Sequence, residues 1–159
     1  MLLLFDLDDT LYSKSEQLSD SYTEHDLARI ALFPGAADLL KRKNITKVLV
    51  TKGEEKLQQQ KIMILGIKPH FQRILVCPRD EDKKKCFEKA LEEFPDEEAW
   101  VIGNRLDSEI RYGRELGLKT IYLRHGKYSG YVPRDAYEVP DYEVERFTDI
   151  ARVLKVETR

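Results

Sequence analysis

The chain lacks the covalent and metal staples on which many small proteins rely. It has two cysteines, Cys77 and Cys86, in 159 residues. Two are too few for a disulfide framework, and no Cys/His spacing matches a zinc site. Asparagine occurs only at Asn44 and Asn104; scarce asparagine beside abundant charge leans toward a thermophilic source. No long apolar run is present. Residues 1–5 are apolar, but Asp6, Asp8 and Asp9 follow at once, so the run is too short for a membrane span or a signal peptide. Neither sign of charge dominates: 27 Lys and Arg stand against 29 Asp and Glu, a net charge of −2. No nucleic-acid or membrane footprint is expected from that balance. Cytoplasm is the default location.

Hydrophobic residues make up 42% of the chain and charged residues 35%, enough apolar mass for one core under a heavily charged surface. Five apolar runs read as strands: residues 2–7, 46–51, 73–77, 99–103 and 119–124. The second and the last are rich in β-branched residues. Helical periodicity lies between and after them. Phe87, Ala90, Leu91 and Phe94 recur at i, i+3, i+4, i+7, as do Phe147, Ile150, Ala151 and Leu154, each marking one apolar helix face. Weaker helical patterns cover 54–65 and 107–116. Alternation of strand and helix predicts an α/β fold, a mainly parallel sheet with helices on both faces. Such sheets bind ligands at the carboxyl ends of their strands.

The side chains at those ends carry the chemistry. Asp6 and Asp8 end the first run; on a strand they would share a face, because side chains alternate. Two carboxylates aimed at one spot call for a cation between them or a shared proton. Their plainer role is turn and helix capping. Thr51 ends the second run. Its hydroxyl, Lys52 and the following backbone amides could hold a phosphate oxygen, although Thr is also a common N-cap. Lys83, Lys84 and Lys85 open a helix, where each cation opposes the macrodipole by about 0.3–1 kcal/mol. A solvated face would explain the run; an anionic ligand would explain a lysine kept there. Lys83 is the one placed to turn inward, four residues before Phe87. After the fourth run, Asn104 and Asp107 offer oxygen ligands for Mg²⁺, with helix capping as Asp107's alternative. Residues 125–129 form a loop that could reach a leaving group or simply connect.

The order of these signals resembles the haloacid dehalogenase (HAD) superfamily: Asp6-x-Asp8-x-Thr10, then Thr51, then Lys83, then Gly103 to Asp107. The resemblance runs from residue 2 to about 124. It implies a single Rossmann-like domain over 1–159, with a five-stranded sheet in the order 5-4-1-2-3. By resemblance Asp6 is the nucleophile that takes the phosphoryl group. Asp8 is the acid and then the base, and its backbone carbonyl also binds Mg²⁺. Thr51 and Lys83 neutralise phosphoryl oxygens. Asp8 also favours phosphate-ester hydrolysis over carbon–halogen cleavage, since the dehalogenases lack an acid there.

One departure stands out. The superfamily usually has Asp where Asn104 stands, so the expected metal set of Asp6, Asp8, Asn104 and Asp107 is one charge short at that position, and metal affinity falls unless Asp107 or Glu109 compensates. Spacing also leaves little room for a cap: residues 12–32 are expected to form a short cap-like insertion, a loop and a short helix, not a separate domain. The expectation is therefore a Mg²⁺-dependent phosphomonoesterase acting through an aspartyl-phosphate on a small-molecule or macromolecular phosphate. Its lid is minimal or borrowed from another subunit of a homo-oligomer. The rival is a weak or inactive binding domain on the same fold. A phosphorelay receiver would want an aspartate where Cys77 and Pro78 stand.

Overall fold

The computed structural model describes residues 1–156. Its centre is a parallel sheet whose middle strand is the apolar opening of the chain, β1 (Leu2–Phe5), fully buried along its length. A short insertion follows, carrying α1 (Lys14–Gln17) and α2 (Glu24–Leu27). Then come α3 (Ala36–Leu40), β2 (Thr46–Lys52), α4 (Glu55–Leu65) and β3 (Arg73–Cys77). The second half adds α5 (Lys83–Glu93), β4 (Ala99–Gly103), a π-helical turn at Leu106–Ile110 running into α6 (Arg111–Glu115), β5 (Lys119–Leu123), β6 (Tyr142–Val144) and α7 (Thr148–Val153).

The strand order is β3-β2-β1-β4-β5-β6 and every pairing is parallel. The first five strands take the expected order, but the sheet has six strands, not five. The sixth is three residues long and buries only Val144; so brief an edge strand carries no readable alternation in the sequence. Period-two alternation does sort the two cores. Leu3 and Phe5 join Leu39, Leu40, Ile62 and Ile150 on the face covered by α3, α4 and α7. Leu2 and Leu4 join Phe87, Ala90 and Val101 on the opposite face, covered by α5, with Tyr112 and Leu116 packed against them.

Two local departures shape the site. β1 stops at Phe5, two residues before the expected end, and Asp8 instead makes an isolated bridge to Tyr12. Tyr12 pairs in turn with Leu32, closing residues 12–32 at their base. The segment holds two helices of four residues each, one more than expected. In the second departure, the helix expected over 107–116 begins as a wider turn, in which Ile110 N–H donates to the Arg105 carbonyl at 3.2 Å. Such π turns insert an extra residue and re-aim side chains; here Ser108, Glu109 and Ile110 are all buried.

Candidate active site

The carboxyl ends of β1, β2 and β4 open onto a cavity of about 650 Å³. Asp6, Asp8, Lys52, Gln58, Lys61, Asp80, Lys83, Asn104 and Arg105 all line it. Asp6 is buried, and Thr10 Oγ1 donates to its Oδ2 at 3.0 Å. Lys83 opens α5 and donates its ammonium to Asp6 Oδ1 at 3.1 Å. The same ammonium lies 3.5 Å from Glu109 Oε2 and 3.9 Å from Asp80 Oδ1. Three acids around one cation resolve the macrodipole conflict at that helix start. Burial works against the charge on Lys83, but Asp6, Glu109 and Asp80 outweigh it and hold the ammonium protonated well above the ordinary lysine range. Lys84 pairs with Glu115 and Lys85 is exposed, so Lys83 is the one that faces the site.

Asp8 has different neighbours. Lys61 of α4 donates to its Oδ1 at 2.9 Å, Gln58 Nε2 donates to its Oδ2 at 3.1 Å, and the Tyr12 hydroxyl bonds the same oxygen as Lys61. Burial pushes against its charge; the Lys61 ammonium and the Tyr12 hydroxyl more than offset that and hold the carboxyl below the usual range. The shared strand face invoked for the two acids therefore does not apply, because the strand has ended. Both acids reach one cavity, yet Asp6 is held from the α5 side and Asp8 from the α4 side. Thr51 is buried and accepts from Gln58 Nε2 at 2.6 Å. Gln58 thus ties Thr51 to Asp8, and since Thr51 accepts there, its own hydroxyl proton is left for another acceptor. Lys52 is exposed at the cavity wall.

The residues expected to hold a metal rearrange in a similar way. Among the described residues no cluster of three or more His, Cys, Asp or Glu side chains has metal-binding geometry. The convergence that does exist is of mixed oxygens. The end of the Asn104 side-chain amide lies 3.2 Å from the Asp8 carbonyl oxygen and 3.1 Å from Asp6 Oδ2. With its nitrogen turned inward, Asn104 donates to both. With its oxygen turned inward, three acceptors meet, an arrangement that a cation or a proton on Asp6 reconciles. That donor set, a carboxylate, a backbone carbonyl and an amide oxygen, is the hard-oxygen chemistry Mg²⁺ takes. Four carboxylates, Asp6, Asp8, Glu109 and Asp80, stand around the ammonium groups of Lys61 and Lys83, and Asp80 is shared with Arg105. With protein groups alone around it, burial pushes Asp6 up to about 8; Lys83 opposes that, and Glu109 and Asp8 add to it. Glu109 Oε2 is buried with no hydrogen-bond partner.

Asp107, expected in the metal set, is bonded instead to Arg105 Nε and Nη2 at 3.1 and 3.0 Å and is not among the residues lining the cavity. The π turn sends Glu109 inward in its place. In the loop after β5, Lys127 and Tyr128 line the cavity, with the Arg105 guanidinium 4.4 Å above the Tyr128 ring. His125 turns elsewhere, its Nε2 2.7 Å from Ser13 Oγ.

With this geometry in view, likeness to known proteins becomes informative. A family model described as HAD-hydrolase-like matches residues 83–150. A glyceraldehyde 3-phosphate phosphatase of Methanopyrus kandleri is 32% identical over 111 residues, 67% of this chain and 48% of that protein. The one from Pyrococcus furiosus is 30% identical over 132 residues, 78% of this chain and 55% of that protein. The chain belongs to the haloacid dehalogenase superfamily. It spans about half the length of the curated relatives it matches. Solved HAD structures share the fold at lower identity. The magnesium-bound putative HAD-hydrolase YfnB of Bacillus subtilis has a TM-score of 0.70 at 18% identity, covering 98% of each chain. A putative beta-phosphoglucomutase of Thermotoga maritima has a TM-score of 0.73 at 13% identity, covering 97% of this chain and 98% of that one.

Sequence reasoning did not place Tyr12, Gln58 and Lys61 in this HAD site. Gln58 and Lys61 are polar residues at i and i+3 on α4, buried where neighbours such as Glu55 and Lys56 are exposed. A polar pair at that spacing just after Thr51 was the available signal. Tyr12 stands four residues after Asp8 in an irregular turn, and nothing in the pattern aims it back. Among the described residues no helix is long and apolar enough to cross a membrane.

Proposed function

We propose that this chain is a Mg²⁺-dependent phosphomonoester hydrolase that works through a phosphorylated Asp6. The observation that carries the reading is the placement of Asp6 between the Lys83 ammonium and the oxygen cluster of Asn104 and the Asp8 carbonyl. Asp6, the Asp8 carbonyl and Asn104 are the groups that would hold the ion. When bound, Mg²⁺ supplies the positive charge that keeps Asp6 ionised and offsets charge on the phosphoryl oxygens.

The protein's own groups do the rest. Asp6 attacks phosphorus; its oxygen–phosphorus bond forms as the ester bond to the leaving oxygen breaks. Lys83, Thr51 and nearby backbone amides stabilise the equatorial oxygens of a transition state that needs positioning and positive charge more than covalent help. Water then attacks the phosphoaspartate, Asp8 takes its proton, and the bond to Asp6 breaks to release phosphate. Asp8, held ionised by Lys61 and Tyr12, suits this second half best. In the first half the proton for the leaving oxygen comes from the Lys61–Asp8 pair, whose Nζ and Oδ1 are 2.9 Å apart.

The curated relatives are named for glyceraldehyde 3-phosphate, and a cavity of about 650 Å³ has room for a small phosphorylated alcohol. We place triose phosphates first among substrates. Binding without turnover is the second reading, favoured by the uncharged Asn104 and the fully engaged Asp8 carboxylate. Phosphate release from glyceraldehyde 3-phosphate and a panel of other phosphomonoesters, with Mg²⁺ and with chelator, separates the two. Mg²⁺-dependent release supports hydrolysis; saturable ligand binding with no release under either condition overturns it.

A further inference from the structure

Cys77 and Cys86 take no part in the site above, and their sequence spacing suggested no pairing. Cys77 ends β3 and is buried; Cys86 lies in α5, half-buried, one turn beyond Lys83. Both thiols are free, and their Sγ atoms are 3.0 Å apart. A disulfide holds its sulfurs at about 2.05 Å, so closure asks for a movement of about one ångström between side chains already in contact. We propose that Cys77 and Cys86 form a site of reversible two-electron oxidation, which hydrogen peroxide closes to an intramolecular disulfide.

The half-buried partner reacts first. The sulfur of Cys86 attacks the peroxide; a sulfur–oxygen bond forms, the oxygen–oxygen bond breaks, and the departing oxygen leaves as water after protonation. The sulfur of Cys77 then attacks the Cys86 sulfenic acid, the sulfur–sulfur bond forms, the sulfur–oxygen bond breaks, and a second water leaves. Two thiols lose two electrons and one peroxide is reduced to two waters. Burial and the neighbouring Cys86 sulfur push the Cys77 thiol up to about 12, so the first attack falls to Cys86.

The position gives the bond a mechanical consequence. Cys77 is in register with Lys52, and its carbonyl accepts from Gly53 N–H at 2.9 Å. Cys86 is on the helix that begins at Lys83. The disulfide therefore ties the chain just after Thr51 to the helix that carries the buried lysine. Closing so short a loop restrains the unfolded chain and raises the melting temperature by roughly 5–10 °C.

The test uses the whole protein, reduced and then treated with hydrogen peroxide, and none of its readouts needs turnover. Thiols are counted in denaturant, intact mass is measured, and melting is followed with and without dithiothreitol. Support is loss of both thiols together, a monomer lighter by two hydrogens, and a rise in melting temperature that dithiothreitol reverses. Cys86→Ser should show no rise. The proposal is overturned by sulfinic or sulfonic products, by disulfide-linked dimers as the main species, by thiols that stay titratable, or by a bridge that leaves melting unchanged.

Discussion

Gly103 and Glu109 are fitted to each other: a Cβ placed on Gly103 would lie 2.5 Å from Glu109 Cγ and 2.8 Å from its Oε1. The glycine that ends β4 leaves the space into which the π turn sends a buried carboxylate beside Lys83. Gly103→Ala is expected to destabilise the protein by about 1–3 kcal/mol, as overpacking does, and to displace Glu109 from Lys83. Urea unfolding checks the first effect. A variant as stable as the parent would mean that Glu109 moves aside freely.

Lys61 holds Asp8 from α4, so its loss should touch chemistry more than binding. Lys61→Met is expected to lower kcat by about 10²-fold, within the range of general acid–base contributions, with KM little changed. Lys61→Arg should restore part of the rate, because a cation again faces Asp8 Oδ1. Steady-state kinetics on the three proteins decide this; equal loss in the Met and Arg variants would remove the positioning role.

Asn104→Asp should act with opposite signs in two conditions. Without divalent ion it adds a like charge beside Asp6, 3.1 Å from the amide position, and melting temperature falls. With Mg²⁺ it supplies the missing anionic ligand, and affinity rises on the order of tenfold. Calorimetric titration and thermal melts with EDTA or Mg²⁺ measure both arms. Unchanged Mg²⁺ affinity would exclude position 104 as a ligand.

Much of this was readable in advance. The five longer strands and the inward turn of Lys83 follow from apolar runs and helical spacing, signals strong enough to survive without tertiary context; the order of those strands is implied by the family resemblance alone. The places where the reading missed are those where local pattern is silent. β6 is too short to alternate. The π turn depends on one displaced backbone bond, so Glu109 turns inward while Asp107 pairs with Arg105. The partners of Asp8 come from α4 and from an irregular turn, and burial on a polar helix face is a tertiary fact. The closeness of Cys77 and Cys86 is another, since strand and helix meet only when the sheet is covered.

A buried acid outside the site gives a pH prediction. Glu138 accepts from Arg134, Arg111 and Tyr131. Burial works against its charge, but these bonds outweigh it and bring the carboxyl from 4.5 down to about 2. A depressed folded-state value means that the stabilisation is present above about pH 4.5 and is lost as pH falls toward 2. Glu138→Gln should therefore lower stability at pH 6, and the gap from the parent should narrow near pH 2. A gap independent of pH would assign the effect to packing alone.

The central claim is that Asp6 becomes phosphorylated. The direct measurement mixes the protein with Mg²⁺ and a radiolabelled phosphomonoester, quenches in acid within a turnover, and maps the label by peptide mass. The account predicts acid-stable, hydroxylamine-labile label on the peptide containing Asp6, and none in a folded Asp6→Asn variant that also lacks turnover. Full turnover in Asp6→Asn, or label on a different residue, would contradict it.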